Sequence, residues 1–131
     1  MYLLDSDIVI WLLRKDQKVT KATKQLAKKD ILGVSTITVA EVYKNAFQQE
    51  FFDIEELFSK NIPVDVNTEI ARLAGKYWKE FHPKLEKLSL SDTIIAATAR
   101  FYDATLVTLN TRHFPMTDIK IINPLSGNMI Y

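Results

Sequence analysis

The stretch that decides the fold is Tyr2-Leu3-Leu4-Asp5-Ser6-Asp7-Ile8-Val9. A short apolar run leads directly into two acids separated by a hydroxyl residue, and apolar residues then resume. This pattern predicts a buried strand that passes into a helix, with Asp5, Ser6 or Asp7 able to cap the helix. In open parallel sheets, ligands bind in the crevice beyond the carboxyl ends of the strands. Asp5 is therefore a candidate site residue.

The composition limits the classes of protein that remain. The chain has 131 residues, 47% hydrophobic and 25% charged, which suits one domain with a hydrophobic core. It has no cysteine, which excludes disulfides, thiolate metal sites and a cysteine nucleophile. The sequence shows no signal peptide and no run of the ~20 apolar residues that cross a bilayer. We therefore expect a cytoplasmic protein without a membrane segment.

Apolar runs of strand length alternate with helical spacing along the whole chain. Five strands are predicted, at residues 2–4, 31–35, 62–66, 105–109 and 119–122. Pro63 places the third strand near an edge. The clearest amphipathic helix ends at His82-Pro83, and residues 84–90 are a predicted loop before a buried helix that Ser91 opens. The alternation predicts one α/β domain over residues 1–131, with a mainly parallel central sheet of about five strands flanked by helices.

Three acids and one amide follow strands or begin helices. Asp5 follows the first strand, Glu41 lies in the first turns after the second, and Asp92 begins the buried helix. Asn110 ends the fourth strand. In a parallel sheet all four fall on the carboxyl side of the strands. The sequence therefore predicts that these side chains converge.

Each acid also has a purely structural explanation. Thr38-Val39-Ala40-Glu41 matches a capping box, and Ser89-Leu90-Ser91-Asp92 nearly does. Acids in a first turn are in any case favoured by the helix dipole. Three converging carboxylates would nevertheless repel one another and raise at least one pKa. Mg²⁺ or Mn²⁺ would relieve that repulsion, needs no Cys or His, and suits phosphodiester hydrolysis.

Four motifs in succession resemble those of PIN-domain proteins, and most closely those of the VapC-type toxin ribonucleases of prokaryotic toxin–antitoxin pairs. They cover nearly the whole chain in order. The motifs are Leu4-Asp5-Ser6-Asp7, Thr38-Val39-Ala40-Glu41-Val42, Ser91-Asp92-Thr93-Ile94-Ile95-Ala96-Ala97 and Leu106-Val107-Thr108-Leu109-Asn110-Thr111-Arg112-His113-Phe114.

The resemblance implies a PIN-like fold and an endoribonuclease that depends on Mg²⁺ or Mn²⁺ and is held inactive by a cognate VapB-like antitoxin. It also implies a homodimer. The family roles make Asp5, Glu41 and Asp92 the metal-binding carboxylates and place Asn110 at the fourth catalytic position. Because asparagine adds no charge, one metal ion is expected rather than two. Asp7 is either a fifth polar ligand or a cap of the first helix, and we expect the cap.

Neighbouring polar residues have supporting roles in this interpretation. Ser6, Thr38 and Thr111 could hydrogen-bond the carboxylates or a water on the metal, although capping and turn roles explain them equally well. Arg112 follows Asn110 and could contact a scissile phosphate.

Two further segments could bind partners. Residues 14–30 hold seven basic residues against two acids, although the net charge is only +1. They form either an RNA-steering stripe or an ordinary solvated helix face. Phe47, Phe51, Phe52 and Phe58 lie among acids, and the resemblance makes this segment the expected docking site of an amphipathic antitoxin segment with basic residues.

Two alternatives remain open at this point. One is a metal-free ribonuclease that uses His113 with Lys or Arg. The other is a non-catalytic RNA-binding or signalling module on the same sheet.

Overall fold

A computed structural model describes residues 1–126 and 129–130 of the chain and has one central sheet. Its strands are β1 (Tyr2–Leu4), β2 (Leu32–Ser35), β3 (Ile62–Val64), β4 (Thr105–Val107), β5 (Lys120–Ile122) and β6 (Met129–Ile130). The strand order is β3-β2-β1-β4-β5-β6. The first five strands are parallel and β6 runs antiparallel to β5. The predicted parallel sheet is confirmed, and β6 is an addition to the five predicted strands.

Helices connect the parallel strands from β1 to β4 and cover both faces of the sheet. They are α1 (Ser6–Leu13), α2 (Gln17–Ala27), α3 (Thr36–Tyr43), α4 (Phe51–Ser59), α5 (Thr68–Phe81) and α6 (Leu90–Phe101). Short 3-10 turns cover Gln48–Glu50 and Thr111–His113. In the described ranges, no helix is both long enough and apolar enough to span a membrane.

The hydrophobic core has two halves, one on each side of the sheet. Leu3 and Leu106 belong to the half that packs against α5 and α6. Leu4 and Val107, their immediate neighbours in sequence, belong to the half that packs against α1, α2 and α4. Successive side chains of a strand point to opposite faces. A strand buried on both faces therefore consists of consecutive apolar residues, as β1 and β4 do.

The chain order creates a switch point beside β1. From β1 the chain continues to β2 and β3 on one side, and it later returns to place β4 on the other side. Such a reversal leaves a crevice at the carboxyl ends of the two central strands. Asp5 lies at this point, and its backbone N–H donates to the Val107 carbonyl at 2.9 Å. The sheet topology thus places Asp5 in the crevice.

Two local expectations can be compared with the structure. The edge position predicted for the proline-containing strand is confirmed, because β3 ends the sheet. The start of the last long helix was predicted one residue too late. Helix α6 begins at Leu90 rather than Ser91, because the Ser89 side chain accepts a hydrogen bond from the Asp92 N–H and caps the helix there.

Candidate active site

Asp5 is the N-cap of α1 and is almost completely buried, with 6% of its surface exposed. Its Oδ1 accepts from the Ser6 N–H at 2.8 Å, and its Oδ2 accepts from the Thr108 hydroxyl at 2.8 Å. Burial raises the pKa of Asp5 from 3.8 to about 7, and the charges of Asp7 and Asp92 add to the rise. Asp5 is therefore a carboxyl group whose ionisation is unfavourable unless positive charge is brought to it.

Asp7 does not cap α1, and the expectation that it serves as a cap is wrong. Its side chain crosses to the end of β4, where Oδ2 accepts from the Leu109 N–H at 3.0 Å and the Asn110 Nδ2 at 3.1 Å. The Thr108 hydroxyl lies 3.3 Å from the same oxygen. The other oxygen, Oδ1, is buried without a hydrogen-bond partner among the described residues. Burial raises the pKa of this carboxyl as well.

Glu41 is the sixth of the eight residues of α3, and the capping box predicted between Thr38 and Glu41 is absent. Helix α3 begins two residues before Thr38, and its N-cap is Ser35, whose hydroxyl accepts from the Ile37 N–H. Glu41 is instead held by two hydroxyl groups. Its Oε1 accepts from the Ser6 hydroxyl at 2.6 Å, and its Oε2 accepts from the Ser91 hydroxyl at 3.1 Å. The carboxylate therefore points toward the N-terminal ends of α1 and α6.

Asp92 occupies the third position of α6 and completes a capping box with Ser89. Its backbone N–H donates to the Ser89 hydroxyl at 3.0 Å, and its Oδ2 accepts from the Ser89 N–H at 3.1 Å. The capping box that the sequence nearly matches is therefore present. Asp92 is also close enough to contribute to the raised pKa of Asp5. One carboxylate thus fixes the start of α6 and adds negative charge to the crevice.

Two hydroxyl residues connect the three acids. Ser6 follows Asp5 in the chain and donates to Glu41, and its hydroxyl lies 3.4 Å from that of the fully buried Thr38. Ser91 precedes Asp92 and also donates to Glu41. The structure therefore brings Asp5, Glu41 and Asp92 to one end of the sheet, as the sequence predicts.

Sequence reasoning overlooked Ser91 and Thr108. Thr108 is fully buried, donates to Asp5 and accepts from the Asn110 N–H at 3.0 Å. Two signals could have identified them. Thr108 directly follows the buried apolar run of β4, and Ser91 directly precedes Asp92. Both residues hold the acids in place.

The remaining candidates lie at the end of β4. Asn110 contacts Asp7 through its side chain, as described above. Thr111 and Arg112 belong to the 3-10 turn that follows, and Arg112 is exposed. Arg112 and His113 border a pocket of about 460 Å³ whose other wall is the loop at residues 84–87.

The donor atoms of the crevice suit a hard divalent cation. The carboxylates and hydroxyls supply only oxygen, which Mg²⁺ and Mn²⁺ prefer, and the partnerless Oδ1 of Asp7 is a further oxygen donor. As the side chains stand, no three His, Cys, Asp or Glu residues in the described part of the chain are close enough to enclose an ion. Mg²⁺ usually retains several waters and binds through one or two protein carboxylates. The arrangement therefore fits a hydrated ion rather than a closed protein cage.

A groove between α1, α3 and α4 includes Glu41 in its lining. It has a volume of about 220 Å³, and Ala46, Glu50 and Ile54 also line it. Phe47, which follows Ala46 in the chain, is 68% exposed, and Phe52 is 76% exposed. The exposed phenylalanines therefore lie close in sequence to residues that share a groove with Glu41.

The lysines of the predicted basic stripe are exposed, and Lys18, Lys21 and Lys24 lie on α2. Helix α2 ends at Ala27, shortly before β2 begins, and therefore leads to the end of the sheet opposite the crevice. Lys28 and Lys29, which directly follow the helix, lie toward that opposite end.

Comparison with known proteins gives a consistent group of relatives. The model of the PIN domain family matches residues 2–120. Ribonuclease VapC10 of Mycobacterium tuberculosis is 31% identical over 116 residues, which cover 88% of this chain and 87% of that protein. Ribonuclease VapC1 of Haemophilus influenzae is 29% identical over 127 residues, which cover 92% of this chain and 95% of that protein.

Solved structures share the same architecture. The VapBC-1 structure from nontypeable Haemophilus influenzae aligns with a TM-score of 0.77 and 28% identity, covering 94% of this chain and 97% of that one. The VapBC2 structure from Rickettsia felis, bound to a DNA fragment from its promoter, aligns with a TM-score of 0.82 and 21% identity, covering 93% and 97%. At 21% identity, this second likeness shows the fold.

Proposed function

This chain belongs to the PIN-domain family, and from that premise we propose that it is a Mg²⁺- or Mn²⁺-dependent endoribonuclease, the toxin of a VapBC-type toxin–antitoxin system. The observation that carries the proposal is the convergence of Asp5, Glu41 and Asp92 at the switch point of the sheet, linked through Ser6 and Ser91. Relatives that are named ribonucleases support an RNA-cleaving hydrolase.

In this proposal, Asp5, Glu41 and Asp92 hold the ion. A bound divalent cation supplies a water of lowered pKa and neutralises charge on the phosphoryl group and the leaving oxygen. Asp5 gains from the cation, because burial and the charges of Asp7 and Asp92 raise its pKa to about 7. Glu41 would bind the ion while it keeps its hydrogen bonds from the Ser6 and Ser91 hydroxyls, or it would give up one of these bonds to bind the ion.

The other polar residues orient these ligands. Ser6 and Thr38 fix the position of Glu41, and Thr108 fixes that of Asp5. Asp7 accepts a hydrogen bond from the Asn110 side-chain amide and fixes its orientation. In this proposal Asn110 thereby helps to position water or metal. Thr111 and Arg112 follow on the side from which a phosphate would approach. These hydrogen bonds keep the site ordered although Asn110, at the fourth catalytic position, carries no charge.

The decisive experiment is RNA cleavage by the purified protein with Mg²⁺ or Mn²⁺ and with a chelator. We expect cleavage that stops on chelation and is lost in Asp92→Asn. Asp103→Asn is the matched control. Asp103 is an exposed acid before β4, at the opposite end of the sheet, and its φ of 52° is one that asparagine adopts readily.

Other results would select the alternatives. Cleavage that persists in chelator and leaves cyclic phosphate ends would favour the metal-free mechanism through His113. RNA binding without cleavage under either metal would favour a binding module.

The proposed antitoxin occupies the surface around Phe51 and Phe52. This surface is apolar and exposed, lies among acids, and is close in sequence to Ala46 and Glu50, which line the groove that contains Glu41. In this proposal an amphipathic segment with basic residues docks there, beside that groove. Structural relatives that are VapBC complexes support this kind of partner.

Replacing both Phe51 and Phe52 by Ser should loosen the antitoxin complex and leave RNA cleavage intact. Replacing Phe101 and Tyr102 by Ser is the matched control, because they are an exposed aromatic pair at the C-terminal end of α6. This control should leave the antitoxin affinity unchanged. Unchanged antitoxin affinity in the Phe51/Phe52 variant would refute this docking site.

Three further properties complete the proposal. The protein acts in the cytoplasm, where its RNA substrate is found, and it forms a homodimer, which sedimentation at several concentrations would test. The exposed lysines of α2 steer RNA at long range, and such steering raises the association rate and weakens with salt.

A further inference from the structure

We propose that the pocket between residues 84–87 and the turn Thr111–His113 binds the phosphate backbone of RNA beside the bond that is cut. This inference rests on the proposed ribonuclease function and assigns part of the substrate path. The pocket has a volume of about 460 Å³, and its lining includes three cations, namely Lys84, Lys87 and Arg112. It lies outside the group of residues that hold the carboxylates.

Both walls of the pocket adjoin the active site along the chain. The loop at 84–87 precedes Ser89, which completes the capping box with Asp92. The turn that carries Arg112 directly follows Asn110, whose amide donates to Asp7. A nucleotide strand that passes over the crevice therefore meets these cations.

Buried side chains fix both walls in place. In the loop, Leu88 is 1% exposed, and its N–H donates to the Leu85 carbonyl at 3.0 Å. In the turn, Phe114 is 5% exposed, and its N–H donates to the Thr111 carbonyl at 3.1 Å. The cations therefore project from an anchored backbone, which reduces the entropy lost when a ligand binds.

The three cations of the pocket, Lys84, Lys87 and Arg112, have no ion-pair partner within 4 Å in the part of the chain that the structure describes. Elsewhere on the surface, Lys60 pairs with Glu56 and Lys120 pairs with Asp103. The lining contains one acid, Glu86, against the three cations. This excess of positive charge matches a polyanion.

The active site itself creates the need for such a pocket. Asp5, Asp7, Glu41 and Asp92 repel a phosphate chain wherever a metal ion does not neutralise them. Cations placed beside the acids offset that repulsion and hold the strand in register. The lysines of α2 are less suited to this contact, because that helix leads to the opposite end of the sheet.

The test measures binding of a short fluorescein-labelled single-stranded RNA of mixed sequence by fluorescence anisotropy, over a range of salt concentrations, in chelator. Each phosphate contact contributes about 0.7 to the slope of log Kd against log salt for single strands. The triple variant Lys84→Ala, Lys87→Ala, Arg112→Ala should therefore lower the slope by about 2. Lys87→Ala alone should lower it by about 0.7.

A matched control removes the same charge from the other basic surface. The variant Lys18→Ala, Lys21→Ala, Lys24→Ala also loses three exposed cations, all from α2. It should change the slope by much less, because these lysines act at a distance. Equal slope changes in the two triple variants, or an unchanged slope in the pocket variant, would overturn the inference. Thermal unfolding of each variant confirms that it is folded.

Binding in chelator separates this inference from the proposed function. If the pocket variant loses slope and the wild-type protein never cuts RNA with Mg²⁺ or Mn²⁺, the pocket stands as an RNA-binding site only, and the ribonuclease proposal fails together with the assignment of the pocket to a cleavage path. If cleavage occurs but the pocket variant binds RNA as the wild type does, the subsite alone fails.

Discussion

Replacing Asp5 by Asn should remove a large part of the pH dependence of folding stability. Asp5 is buried near Asp7 and Asp92, and burial together with their charges raises its pKa from 3.8 to about 7 in the folded protein. Asparagine has nearly the same shape but does not ionise. Of the two hydrogen bonds that Asp5 accepts, from the Ser6 N–H and the Thr108 hydroxyl, the single oxygen of Asn can retain the first.

The magnitude follows from the two pKa values. At 1.36 kcal/mol for each unit of difference, the rise from 3.8 to about 7 corresponds to about 4 kcal/mol. Because the folded state holds this proton more tightly than the unfolded chain, stability is highest below pH 3.8. It declines as the pH rises and reaches its full loss above about pH 7. About 3 kcal/mol of the loss falls between pH 5 and pH 8.

The assay is urea unfolding of the wild type and Asp5→Asn in chelator, near pH 5 and near pH 8. The wild type should lose about 3 kcal/mol more than the variant between these two conditions. The hydrogen bond that Asn gives up costs about 1 kcal/mol at both pH values and cancels in the comparison. Equal pH dependence in the two proteins would refute the conclusion that Asp5 is buried beside other acids.

Two further predictions concern the same crevice. Thr108→Val should lower the free energy of unfolding in urea by about 1–3 kcal/mol, because Asp5 and the Asn110 N–H each lose a buried hydrogen-bond partner. The control, Thr117→Val at an exposed position, should change it by less than about 0.5 kcal/mol, and equal effects of the two substitutions would contradict the role of Thr108. Mn²⁺ at about a hundred times its Kd should raise the free energy of unfolding of the wild type by about 3 kcal/mol near pH 8. The gain should be smaller near pH 5, where Asp5 is protonated, and smaller in Asp92→Asn. A gain that does not depend on pH in the wild type and in Asp92→Asn would count against Asp5 as a ligand.

The sequence predicted the central strands well because they are buried on both faces, unlike the edge strand β3, where Ile62 is 45% exposed. Consecutive apolar residues in β1, β2, β4 and β5 identify such strands without knowledge of their neighbours. The antiparallel β6 was missed. Its two residues pair with Ile121 and Ile122, and so short a pairing leaves no period-2 pattern in the sequence.

Convergence of the acids was predictable, but their hydrogen bonds were not. Parallel topology alone brings Asp5, Glu41 and Asp92 to one edge, and local spacing is sufficient to infer it. The cap of α1 was ambiguous, since Asp5 and Asp7 are both acids near the same helix start. Asp7 is committed instead to the end of β4, more than a hundred residues away in sequence. A contact of that range is determined by tertiary packing rather than by local propensity.

Capping and metal binding, which appear as rival explanations in the sequence, are compatible in the structure. Asp5 caps α1 with Oδ1, and Asp92 closes the box of α6 with Oδ2. A carboxylate oxygen has two acceptor positions, so a single cap bond leaves further capacity on each group. Capping holds the backbone of both acids at the crevice, and their mutual repulsion there makes a cation favourable. Substitutions of these two acids should consequently change folding and activity together, whereas Glu41, which caps no helix, is the position at which the two effects can be separated.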